Sequence, residues 1–292
     1  MSEKRRAQSL KELATKSLDV FSKEVLEQGL ALKLRPTDVV ITPYGKSGTT
    51  WTQQIVHALR TRGDMDFDDI SRVIPWIEVS AGLDLDLNAE QKASPRAFKS
   101  HLSWDQIPRG GRYINVVRDP GDAAVSLLRF QEGWFLEPGA VPTDEFVEEA
   151  FLSHRRYYKH LQSWWPHRND DNVLFLAYEK MLKDSTGTIC RIAEFIGIEL
   201  DDDLLAITEK HASLAFMLKY KDRFDDAILR KLSEDKGGIP PGSDSAKVRE
   251  GTAGGRAELS DATLARLDQV WREEITSSLG FETYSDLIAD LT

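Results

Sequence analysis

Asp38-Val39-Val40-Ile41-Thr42-Pro43-Tyr44-Gly45-Lys46-Ser47-Gly48-Thr49-Thr50-Trp51 passes from an apolar run into a loop of small and hydroxylated residues. The run from Asp38 to Thr42 is short and nearly all apolar, as a strand buried on both faces requires. Pro43, Gly45 and Gly48 force a loop, after which Trp51, Ile55, Val56 and Leu59 recur at helical spacing. Strand, glycine-containing loop and helix make the opening unit of a parallel sheet. A helix N-terminus after such a loop turns unpaired backbone N–H groups toward an anion. Lys46 adds a cation and Ser47, Thr49 and Thr50 add hydroxyl donors, so residues 42–51 have the makings of a phosphate cradle. The NTPase pattern G-x-x-x-x-G-K-[ST] fails, because Val40 stands where its leading glycine belongs. The hydrolase elbow G-x-S-x-G fails because Thr49 takes the place of its last glycine.

The unit recurs along the chain. Tyr113-Ile114-Asn115-Val116-Val117 reads as a strand, and Asp119-Pro120 supplies a helix cap and first-turn proline before Ala123 to Phe130. Val173 to Tyr178 is another apolar run, followed by a helix through Ile189, Ile192, Ala193 and Ile196 that Gly197 stops. Residues 8–30 carry Leu10, Leu13, Ala14, Leu18, Phe21, Val25 and Leu26 at helical spacing. This alternation predicts one α/β domain over residues 1–292, with a central parallel β-sheet flanked by helices. Gly and Pro gather between Lys236 and Gly255, so a mobile lid or loop is expected within residues 221–255.

Composition narrows the function. The 292 residues are 41% hydrophobic and 29% charged, enough to bury a large core without staples. Cys190 is the only cysteine, which excludes an internal disulfide and a paired-cysteine zinc site and suits a reducing, cytoplasmic setting. The net charge of −10 (38 basic against 48 acidic residues) argues against a nucleic-acid partner. No run approaches the roughly 20 apolar residues of a membrane helix, and no membrane partner is expected. The six histidines form no H-E-x-x-H pair, so no metal site is indicated.

Lys46-Ser47-Gly48-Thr49-Thr50-Trp51 resembles the 5′-phosphosulfate loop of the cytosolic sulfotransferases, which use 3′-phosphoadenosine 5′-phosphosulfate (PAPS) and release the bisphosphate PAP. Further motifs follow in order. Arg118-Asp119-Pro120 with Ser126 resembles the family's 3′-phosphate site, where an arginine fork at a strand end grips phosphate. Leu174 to Glu179 resembles the strand whose tyrosine, here Tyr178, contacts adenine, and Trp51 would stack on the same ring. Tyr158 to Trp165 has the family's look as packing, and Ser213 falls in a further nucleotide-contact segment. The likeness runs from about residue 38 to about 255, with residues 38–60 as the phosphosulfate unit and 113–130 as the 3′-phosphate unit.

Lys99-Ser100-His101-Leu102 follows Arg96-Ala97-Phe98 and resembles the family's catalytic Lys-Thr-His-Leu. The resemblance implies His101 as general base on a small-molecule hydroxyl, Lys46 at the departing 5′-phosphate and Lys99 at the sulfuryl oxygens. Ile74-Pro75-Trp76-Ile77-Glu78 resembles an aromatic gate segment, and Trp76, Phe130 and Trp134 are candidates for an acceptor pocket suited to aromatic or apolar alcohols. Three departures stand out. Gly45 occupies a usual proline position. Val248-Arg249-Glu250-Gly251 stands where the family has Arg-Lys-Gly, so only Arg249 and Gly251 carry over to the 3′-phosphate. The tryptophan that usually follows is missing and the family's dimer motif is not recognisable near Ser260-Asp261, which leaves monomer and homodimer both open. The competing readings are a kinase moving phosphoryl from ATP, against which stand the missing leading glycine and the lack of a Mg²⁺-binding acidic motif, and a nucleotide-binding module without turnover.

Overall fold

The structure is a computed structural model that describes residues 4–18, 20–249, 251 and 253–291. Glu250, the anion that departs from the family pattern, lies outside the described residues. Four parallel strands form the sheet: β1 (Val39–Ile41), β2 (Ala97–Lys99), β3 (Arg112–Val117) and β4 (Val173–Ala177), in the order β2-β1-β3-β4. Val40 sits beside Phe98 on one side and Tyr113 on the other, and Val116 beside Leu176. The single α/β domain follows from the alternation of strand, loop and helix.

Because strand side chains alternate, each strand feeds two cores. Val40, Phe98, Tyr113, Val117 and Phe175 face one side, against Leu161, Trp164 and Trp271. Val39, Ile41, Ile114, Val116 and Leu176 face the other, against Ile55, Leu59, Ile189 and Ile192. Burying each such large aliphatic side chain contributes roughly 1.5–3 kcal/mol before entropy is charged against it. A third cluster centred on Trp134, Phe135, Leu136 and Phe146 anchors Leu13 and Val20 from the N-terminal region.

Helix ends follow the local chemistry. Asp119 caps the helix Pro120–Gly133 by accepting from the N–H groups of Gly121 (2.8 Å) and Asp122 (3.0 Å), with Pro120 in its first turn. Gly197, at φ 76°, closes the helix Ser185–Ile196. The stretch 8–30, whose apolar residues fall at helical spacing, forms two helices, Leu10–Leu18 and Lys23–Leu30. Ser22 breaks it: its backbone is extended and its hydroxyl accepts from Val25 N–H, so it caps the second helix and cannot continue the first. Gly29 then packs on Ile77, whose carbonyl oxygen would lie 2.0 Å from any Cβ placed there.

Residues 221–255 hold the helix Ala227–Lys236 followed by irregular chain. Asp244 N–H donates to the Gly133 carbonyl at 3.1 Å, and Asp122 accepts from Gly254 and Arg256 N–H groups, both at 2.8 Å. The segment is thereby joined to both ends of the helix Pro120–Gly133. No helix among the described residues is long and apolar enough to cross a membrane.

Candidate active site

A cavity of about 630 Å³ opens at the carboxyl ends of the strands. Each strand delivers one group to it: Lys99 from the end of β2, Lys46 from the loop after β1, Arg118 just past β3 and Tyr178 just past β4.

The loop after β1 turns on two residues in the left-handed region, Lys46 at φ 71° and Gly48 at φ 101°. Gly48 precedes the helix Thr49–Thr61 and offers no side chain to cap it, so the first N–H groups of that helix stay available to a ligand. A Cβ on Gly48 would meet Tyr178 Cδ2 at 2.9 Å, which explains the glycine here. Thr49 Oγ1 and Trp51 Nε1 are buried without a protein partner. Lys46 lies 4.6 Å from the Phe130 ring centroid, and its ammonium is pushed down to about 7 by burial first and then by the charges of Arg118, Lys99 and Arg249.

Arg118 ties the loop to the next strand. Its guanidinium donates to the Lys46 carbonyl at 3.1 Å, lies 4.4 Å over the Tyr178 ring and faces Asp122 at 3.7 Å. Tyr157 O–H donates to the Arg118 carbonyl at 2.5 Å, fixing the backbone from beneath. Trp51 meets Tyr178 edge-on at 5.9 Å. Ser126, Ser213, Arg249 and Gly251 line the same cavity, with Met217 and Leu214. Ser213 also caps the short helix Leu214–Lys219, accepting from Phe216 N–H at 3.3 Å.

His101, Glu78, Trp76 and Lys99 stand together. His101 Nδ1 lies 2.7 Å from the Pro43 carbonyl oxygen. A carbonyl only accepts, so Nδ1 carries the proton and Nε2 keeps a free lone pair. Burial, and next the charge of Lys99, hold the imidazole well below its ordinary value, so it is neutral at pH 7. Glu78 Oε1 accepts from His101 N–H at 2.6 Å, and the Trp76 ring stands edge-on to the imidazole at 5.2 Å. Lys99 Nζ sits 3.7 Å over the Trp76 ring and 3.5 Å from Asp226, with its ammonium lowered to about 8 chiefly by burial. Phe21, Leu127, Phe130 and Phe135 supply apolar wall.

Of the residues singled out from sequence, the cavity gathers Lys46, Gly48, Thr49, Thr50, Trp51, Trp76, Lys99, His101, Arg118, Ser126, Phe130, Tyr178, Ser213, Arg249 and Gly251. It does not gather Ser47 or Trp134. Ser47 is buried beneath the loop, among Tyr44, Asn115, Tyr157 and His160, because the left-handed turn at Lys46 and Gly48 aims its side chain at the core. Trp134 stands one layer behind Phe130, fully buried, its indole N–H donating to Ser233 Oγ at 2.8 Å. Sequence reasoning missed Lys247 and Asp226, which line the cavity and form an ion pair with each other. Neither belongs to a spaced motif, and the glycine-rich chain around Lys247 has no periodicity to place it.

The model of the sulfotransferase domain matches residues 36–278. Sulfotransferase 2A6 of Rattus norvegicus is 30% identical over 254 residues, spanning 83% of this chain and 86% of the rat protein. Sulfotransferase 1B1 of Canis lupus familiaris is 28% identical over 268 residues, spanning 85% and 87%. Among solved structures, retinol dehydratase in complex with retinol and PAP superposes with a TM-score of 0.70 at 22% identity, covering 94% of this chain and 97% of that one. A mouse sulfotransferase complexed with PAP gives 0.67 at 24% identity, covering 89% and 92%.

Proposed function

The chain belongs to the sulfotransferase domain family, and from that premise we propose that it moves a sulfuryl group from PAPS to the hydroxyl of a small aromatic or apolar acceptor. The carrying observation is the pairing, in one cavity, of a neutral imidazole whose free Nε2 is set by the Pro43 carbonyl with a glycine loop whose cation and helix N-terminus await an anion. The donor suits the residues present. Thr49 Oγ1 and Trp51 Nε1 are buried donors without a protein partner, and the missing Cβ of Gly48 keeps the loop open beside Tyr178. Lys46, Thr50 and the N–H groups of the helix Thr49–Thr61 would take the 5′-phosphate, with Ser47 acting through the loop backbone. Arg118, Ser126, Arg249 and Gly251 would take the 3′-phosphate, while Trp51, Tyr178 and Ser213 would hold the nucleoside.

The acceptor oxygen attacks sulfur in line. A new S–O bond forms, the bond from sulfur to the bridging 5′-phosphate oxygen breaks, and the acceptor proton passes to His101 Nε2. Lys46 meets the charge growing on the bridging oxygen, and Lys99 faces the sulfuryl oxygens. The apolar wall of Phe21, Trp76 and Phe130 supports an apolar acceptor, as do relatives solved with retinol and androsterone. We take residues 1–292 as one domain with 221–255 as its lid, in a cytoplasmic monomer or homodimer needing no metal, nucleic acid or membrane.

Titration calorimetry with PAP and with ATP–Mg²⁺ tests this reading. Tight PAP and weak ATP binding, with His101→Ala losing about 10²–10⁴-fold in turnover while keeping PAP affinity, is the expected result. Preference for ATP–Mg²⁺ would assign the loop to phosphoryl transfer instead.

A further inference from the structure

Three lysines, Lys46, Lys99 and Lys247, line the cavity between loop and base, and only two were expected there. Lys247 has a side chain 8% exposed and contacts Asp226, whose own carboxylate is 1% exposed. Asp226 also faces Lys99 at 3.5 Å and accepts from Ser71 Oγ at 2.8 Å. Two ammonium groups thus share one carboxylate. Lys99 and Lys46 are the like charges that Lys247 feels most strongly, and with burial they drive its ammonium well below the ordinary lysine range. Asp69 and Asp225 oppose this at longer range. Asp225, however, is engaged with Arg230 at 2.9 Å, and Asp69 accepts from the N–H groups of Ser71 and Ile228. Glu78 also opposes the charge on Lys99, so the lysines share few carboxylates, and all three line the open cavity, where an anion can join them.

We propose that Lys247 is a third lysine of the transfer site, binding the sulfuryl oxygens of the donor with Asp226 as its counter-ion when no donor is present. The inference rests on the PAPS reading above. On that reading Arg118, Ser126 and Arg249 serve the far phosphate and Lys46 the near one, whereas Lys247 shares Asp226 with Lys99 and its charge is felt by His101. Its ammonium therefore meets the one group that PAPS has and PAP lacks.

The test compares PAPS and PAP binding by calorimetry in the full-length protein and its Lys247→Met variant, without acceptor. The expected result is a loss of about 10- to 100-fold in PAPS affinity, the range of a charge-assisted hydrogen bond, with PAP affinity changed less than threefold. Lys247→Arg should restore part of the PAPS preference. Equal losses for both nucleotides, or no loss for either, would overturn the assignment and leave Lys247 a phosphate contact or a structural ion pair. If the unaltered protein binds neither nucleotide, the donor reading itself fails. A variant that does not fold is recognised by its circular dichroism, and Lys247→Gln then takes its place.

Discussion

Lys46 should make nucleotide binding a proton-uptake reaction. With its ammonium lowered to about 7 in the free protein, the side chain is about nine-tenths neutral at pH 8. A phosphate set against it favours the charged form and returns the value toward that of an ordinary lysine. PAP binding at pH 8 should then draw about 0.9 proton onto Lys46. The sign is fixed by which state holds the proton: the complex binds more protons, so affinity falls as pH rises above 7. Lys46 alone gives a slope approaching tenfold per pH unit. Calorimetry at pH 8 in buffers of low and high ionisation enthalpy measures the uptake directly, since the apparent heat varies linearly with the buffer's own. Lys46→Met should remove about 0.9 proton from it. If the unaltered protein and the variant took up equal numbers of protons, the burial and charge argument for Lys46 would be wrong.

Three further outcomes follow from named contacts. Because His101 is held well below its ordinary value, kcat/KM for the acceptor at saturating PAPS should stay level from pH 8 down past 6.5 and fall only at lower pH; an acid limb centred near 6.5 would contradict a desolvated base. Gly48→Ala should cost about 1–2 kcal/mol for a left-handed alanine and more for displacing the Tyr178 ring, 2.9 Å from the new Cβ. Urea unfolding and PAP titration would both register that change, and an unaltered pair of values would refute it. Asp119→Ala removes the cap of the helix Pro120–Gly133 and should lower the unfolding free energy by about 1 kcal/mol. It should also weaken PAP binding through the neighbouring Arg118, a loss that an unchanged affinity would exclude.

Most of the site could be read from the chain because its parts lie at strand ends, where a periodic apolar run stops at a loop. Lys46, His101, Arg118 and Tyr178 are all of this kind. Their identity as a set came from resemblance, since a lone histidine or arginine carries no chemistry in its spacing. Trp134 shows the limit on the acceptor side: an aromatic one helical turn beyond Phe130 can as well fill a core as line a pocket, and only packing against Phe135 and Ser233 decides it. Ser47 shows another, because the left-handed turns at Lys46 and Gly48 determine where its hydroxyl points. Lys247 and Asp226 meet across 21 residues of mostly irregular or short helical chain, a distance at which no periodicity speaks. The helical spacing over 8–30 did not show where the chain breaks, a competition that propensity scales blur, since Ser22 gains more as a cap than as an interior residue.

The strand order has a geometric consequence for the ligand. Read across β2-β1-β3-β4, the four delivered groups are Lys99 with His101 just beyond it, Lys46, Arg118 and Tyr178, and on the proposed reading these would meet, in turn, the acceptor, the leaving phosphate, the 3′-phosphate and adenine. Adjacent strands lie about 4.8 Å apart, which sets the row at about 14 Å over three gaps. The sheet would then work as a ruler laid along the proposed donor. A nucleotide longer or shorter by one phosphate would place its reactive atom roughly half a strand spacing or more out of step with His101 while its adenine still fitted. Discrimination between donors would then reside in the spacing of backbone hydrogen bonds, which no side-chain substitution at the cavity wall can alter.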